Sequence, residues 1–149
     1  MPNTPGAIGK GITGLFAATG TTARDRDCAE VLLSALGEVL WVGSENEIDA
    51  VTALSGSGPA YVFHLVEAMT KAGISLGLSG LEAEKLARAT VVGAGALLAA
   101  EDDSAAGLRM AVTSPGGTTE AALKVLMPEL TALMTRTIMA AKKRAEELR

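Results

Sequence analysis

Residues 111 to 126 read AVTSPGGTTEAALKVL and set four hydroxyls, a proline and two glycines directly ahead of a helix-forming run. Pro115 restricts the backbone, Gly116 and Gly117 remove side chains where another group could approach, and residues 120–126 favour a helix. The first amides of a helix have no partner inside it. With the helix dipole they make a seat for a small carboxylate or phosphate. The chemistry offered here is anion binding through backbone nitrogen. A loop capped by Ser114 or Thr118, with the glycines serving only the turn, explains the stretch too, and these residues taken alone favour it.

Other chemistries find little support. One histidine, His64, and no clustered Asp, Glu or Cys spacing leave no metal-ligand set, so no metal is expected. Ser114 and the other hydroxyls have no candidate base except the distant His64. No GxGxxG follows a strand, and GAGALL at residues 93–98 sits in a helical run, where it reads as packing. The reactive atoms of any reaction must therefore come from a cofactor or another domain. A net charge of -4 and a pI near 5.0 argue against a nucleic-acid partner. The weakly polar run at 89–100 is too short to span a bilayer, and the lone Cys28 fits a reducing compartment, so a soluble cytoplasmic protein is expected.

The elements that would position the opening stretch follow from composition and periodicity. At 149 residues, 48% hydrophobic but only 3% aromatic, the core must be built from small and aliphatic side chains, which suits packed helices. Short strands are expected at 11–18 and 38–42, separated by a helix that Gly37 ends; as two lone strands they read as edges of another sheet. From residue 44 the pattern is helical. Ser44 and Glu47 form one capping box and Ser79 and Glu82 another, Pro59 opens a long helix to about Gly77, and Pro128 is expected to start the last helix. Ala89, Gly93 and Ala96 or Ala100 make a row of small residues that lets helix axes approach. Val62, Leu65, Val66 and Met69, with Val91, Val92, Leu97 and Leu98, are more apolar surface than one such chain buries easily, so a helical homodimer is expected, against plain core packing as the simpler account.

Three blocks, MPNTP at 1–5, DAVTALSGSGPAYVF at 49–63 and VTSPGGTTEAAL at 112–123, together resemble the pyrroline-5-carboxylate reductase family in order and approximate spacing. The resemblance implies a mainly α fold: a multi-helix bundle interleaving with a second subunit, plus two short N-terminal strands that extend the sheet of a Rossmann domain. In that family the Rossmann domain precedes MPNTP, where this chain starts. It implies a linking segment over 1–43 and a helical dimerisation and substrate-binding domain over 44–149, with larger oligomers of dimers compatible.

The resemblance further implies reduction of 1-pyrroline-5-carboxylate to L-proline with NADPH or NADH, the cofactor held mainly by the domain ahead of this chain, which alone is expected to be inactive. It places the substrate carboxylate on the amides of Gly116, Gly117, Thr118 and Thr119 and the hydroxyls of Ser114 and Thr119, with Thr119 as the catalytic residue, its hydroxyl orienting the imine or relaying a proton through water. Glu45 would stand near the substrate nitrogen, although a first-turn helix role suits it equally. Asn3, Thr4 and Pro5 would border the nicotinamide. The alternative, from another class, is a non-catalytic helical assembly module.

Overall fold

The computed structural model describes residues 1–148. A 3₁₀ turn, Thr4–Ile8, leads to β1 (Gly11–Phe16), α1 (Ala23–Ser34), β2 (Gly37–Val42), α2 (Glu45–Val51) and a π turn, Thr52–Gly56. Then come α3 (Gly58–Ser75), α4 (Gly80–Ala100), α5 (Ala105–Ala111) and α6 (Thr118–Glu147). The fold is mainly α with two short strands near the amino end, as expected. No helix among the described residues is long and apolar enough to cross a membrane. The chain forms two compact units, one of Met1–Tyr61 with the chain from Thr135 onward, the other of Val62–Met134.

In the first unit the strands pair with each other. They run parallel, from Gly11 opposite Gly37 to Phe16 opposite Val42, with α1 as the crossover. The two strands, which by sequence read as edges of another sheet, thus pair with each other, and the helix-bearing connection is what a parallel pair requires. Gly37 does not end α1; the helix stops at Ser34 and Gly37 opens β2 at φ 131°. Trp41 fixes α1 to β2, its ring N–H donating to Glu30 at 2.9 Å while the Arg26 guanidinium lies 5.2 Å from the ring centre. Met1 adds a bridge on β1: the Gly14 N–H donates to the Met1 carbonyl at 3.0 Å, and the Met1 amine to the Gly14 carbonyl at 2.7 Å.

Two helix starts carry complete capping boxes, Thr22 with Asp25 on α1 and Ser79 with Glu82 on α4. Hydrogen bonds from the cap hydroxyl, then from the cap amide, hold both carboxyls below their ordinary values of 3.8 and 4.5. A carboxylate with a depressed folded-state value stabilises the fold above its ordinary value and loses that contribution as pH falls through the lower, folded one. Combining Thr22→Ala with Ser79→Ala is therefore expected to flatten the acid limb of the stability curve between about pH 5 and about pH 2. Thermal unfolding across that range checks it. An unchanged limb would show that other carboxylates control acid unfolding.

The second unit opens with a helical hairpin. Gly77, at φ 99°, ends α3 in a left-handed turn, and the Leu78 N–H reaches back to the Gly73 carbonyl at 3.2 Å. Close to that turn the two helices touch: a Cβ on Gly73 would lie 3.0 Å from that of Ala83. Ala83 and Ala87 are buried there. Farther along lies a groove of ≈ 660 Å³ lined by Val62, Phe63, Val66, Val91 and Val92. Among the described residues no other helix comes close to the small-residue row at Gly93, where the space is open to 4 Å. Val62, Leu65, Val92, Leu97 and Leu98 are all exposed. Plain core packing therefore does not account for the apolar stripes.

Pro128 does not start a helix. It sits inside α6, which begins ten residues earlier at Thr118. A mid-helix proline removes one backbone bond and disfavours the turn before it at a cost of about 3 kcal/mol, but the good helix formers on both sides carry a 30-residue helix through it.

Candidate functional site: the turn before α6

Residues 114 to 117 make a four-residue turn closed by the Gly117 N–H donating to the Ser114 carbonyl at 3.0 Å. Pro115 occupies the second position and Gly116 the third, with φ 73°, the order that a type II turn requires. A Cβ on Gly117 would stand 3.0 Å from the Ser114 carbonyl, whereas Gly116 faces open space. Ahead of the turn, Thr113 is tied to α5 by its hydroxyl, which donates to the Arg109 carbonyl at 2.6 Å.

The turn delivers the chain into α6, where backbone bonding begins with the Ala121 N–H on the Gly117 carbonyl at 3.2 Å. Of the four amides expected to be free, two are engaged. Gly117 closes the turn, and Gly116 donates to Glu120 Oε2 at 2.9 Å. Among the described residues the amides of Thr118 and Thr119 make no hydrogen bond, nor do the hydroxyls of Ser114, Thr118 and Thr119. Ser114, Gly116 and Thr118 are exposed; Gly117 and Thr119 are half-buried. Two bare amides flanked by three unused hydroxyls can hold a carboxylate without a charged side chain. Glu120 was missed as part of this turn, although an acid at the third helix position is a recognisable capping signal.

The other expected site residues lie in the first unit. Glu45 is the first residue of α2, and its carboxylate is exposed. The capping of α2 departs from the expected form: Ser44 donates its hydroxyl to Glu47 at 3.0 Å instead of accepting, and Glu47 also takes the Gly43 N–H at 3.1 Å. Glu47 thus does the capping, and the Glu45 carboxylate is not used for it.

Asn3 is held in place by its own side chain. Oδ1 accepts the Ile12 N–H at 3.0 Å and Nδ2 donates to the Ser55 carbonyl at 3.2 Å, joining the 3₁₀ turn to β1 and to the π turn. The π turn itself closes by the Ser57 N–H on the Thr52 carbonyl at 2.8 Å and is braced by the Tyr61 hydroxyl on the Ala53 carbonyl at 3.0 Å. Thr4 is exposed and Pro5 half-buried in the 3₁₀ turn. Asn3→Ala is expected to lower stability by about 1–3 kcal/mol, and Asn3→Asp, which keeps the acceptor but turns a carboxylate oxygen onto the Ser55 carbonyl, by a similar or larger amount. Urea unfolding of the three proteins checks the order.

Pyrroline-5-carboxylate reductase dimerisation is the description of the family model that matches residues 45–148. A pyrroline-5-carboxylate reductase of Pseudomonas aeruginosa is 46% identical over 149 residues, covering 99% of this chain and 55% of that protein. Among solved structures, a pyrroline-5-carboxylate reductase of Coxiella burnetii aligns with a TM-score of 0.94 at 46% identity, over 99% of this chain and 55% of that one. The Plasmodium falciparum pyrroline carboxylate reductase with NADP bound aligns with a TM-score of 0.85 at 27% identity, over 99% of this chain and 60% of that one. The chain spans about half the length of the relatives it matches. With α2 to α6 and the glycine turn inside the matched region, the chain belongs to the pyrroline-5-carboxylate reductase dimerisation family.

Proposed function

We propose that this chain is the substrate-gripping and dimerising part of a reductase that converts 1-pyrroline-5-carboxylate to L-proline with NADPH or NADH. The observation carrying the proposal is the pair of unbonded amides at Thr118 and Thr119, behind a turn in which Gly116 faces open space. In this reading the substrate carboxylate accepts from those two amides and from the hydroxyls of Ser114 and Thr119. Gly116 and Gly117 serve by absence of side chains, their amides being engaged within the chain. Thr119 orients the ring by hydrogen bonding; an ordinary alcohol is too weak an acid to be the main proton source. For Glu45, whose carboxylate is not drawn into capping, the family resemblance alone supports a role toward a substrate nitrogen, where a negative charge favours the cationic iminium.

Toward the cofactor this chain offers little. Asn3 has spent its side-chain acceptor and one donor internally, leaving Thr4 and the backbone near Pro5. The β1 to α1 connection is no dinucleotide seat, because the Asp25 carboxylate occupies the Thr22 amide at 2.9 Å, where a pyrophosphate would have to bind. Thr4 and the backbone near Pro5 are what this reading leaves to border the nicotinamide.

The dimer assignment rests on the exposed apolar faces of α3 and α4 and the groove between them, too much nonpolar surface for a free monomer. The same surface favours the second reading, an assembly module without a ligand. Titrating L-proline into the purified chain separates the two: saturable binding supports the substrate seat, and no heat or shift at any concentration leaves only the assembly module.

A further inference from the structure

We infer that Glu120 is a positioning residue for the carboxylate seat, holding the Ser114 to Gly117 turn in its binding shape before a ligand arrives. The inference rests on the proposed function above and adds a residue to it. Glu120 Oε2 accepts the Gly116 N–H at 2.9 Å, and Oε1 lies 3.5 Å from the Lys124 ammonium one helical turn on. Gly116 and Gly117 are the residues with most backbone freedom to lose, and nothing packs against Gly116 to restrain it. Two bonds restrain this pair: Gly117 to the Ser114 carbonyl, and Gly116 to Glu120.

The second bond ties the left-handed residue of the turn to the first turn of α6. That fixes the direction in which the Thr118 and Thr119 amides emerge, so binding need not order two glycines at the same time. Lys124 offsets the carboxylate charge, which would otherwise repel an incoming anion beside those amides. Glu120 also lines a cleft of ≈ 420 Å³ with Arg109, Thr113, Lys124 and Pro128, in which the other charged groups are cations.

The test compares Glu120→Ala with Glu120→Gln. Both remove the negative charge and both release Lys124, so their electrostatic effects match; only Gln keeps an oxygen able to accept the Gly116 N–H. Calorimetric titration is expected to show L-proline binding to Glu120→Ala about tenfold more weakly than to Glu120→Gln, the size of one hydrogen bond. Hydrogen exchange of the Gly116 amide, measured without ligand, is expected to be about tenfold faster in Glu120→Ala than in Glu120→Gln. Equal affinity or equal exchange in the two variants overturns the positioning role and leaves the seat standing. No saturable proline binding by the unsubstituted chain overturns the seat, and the role with it.

Discussion

Thr119→Val is expected to weaken L-proline binding by about ten- to a hundredfold, the range set by one hydrogen bond to a charged oxygen. Valine matches threonine in shape, keeps the backbone amide and sits at the second position of α6, where loss of a hydroxyl disturbs helix geometry little. The hydroxyl makes no bond within the described chain, so its removal leaves no internal partner unsatisfied. A fall in affinity with an unchanged unfolding midpoint therefore reports on the ligand contact itself. Undiminished affinity, measured by calorimetry, would take Thr119 out of the seat.

Gly37→Ala is expected to be the most damaging small substitution in the first unit, lowering stability by about 2–5 kcal/mol. Two effects combine: a left-handed backbone that costs an L-residue about 1–2 kcal/mol, and overpacking that costs about 1–3 kcal/mol. The added methyl would run into the Gly11 carbonyl oxygen of the paired strand and stand 2.7 Å from the Gly11 nitrogen. Both are backbone atoms in a ladder, so neither can swing aside as a flexible side chain would. Gly20→Ala is the control, with φ 94° but open space around it, and only the conformational cost applies there. Urea denaturation of both variants measures the difference. Equal losses would mean that β1 and β2 are not held as closely as their register requires.

Features decided by neighbours close along the chain were legible in the sequence. The Ser79 and Glu82 capping box, the strand positions, the start of α3 near Pro59 and the glycine turn before α6 each depend on residues within about one turn of each other. The three blocks that resemble the reductase family likewise include the glycine turn in the sequence itself. Even there the detail escaped: the sequence marked Gly116 and Gly117 as open amides, and one is taken by Glu120 and the other by Ser114.

What only the tertiary structure decided is which distant groups meet. Glycine at position 37 serves a helix end or a crowded strand pair equally well by composition; pairing with Gly11 across 26 residues selects the second. Asn3 reads as a free polar side chain until Ile12 and Ser55 are seen to claim it, one of them 52 residues away. Pro128 reads as a helix start because proline suits a first turn, but whether a helix continues through it depends on the whole of α6. The apolar stripes of α3 and α4 were visible as a pattern, whereas their exposure in the single chain could be known only once it had folded. Local bonds compete only with nearby alternatives and leave their mark in short stretches. Long-range contacts are chosen by packing of the whole chain, which no short stretch encodes.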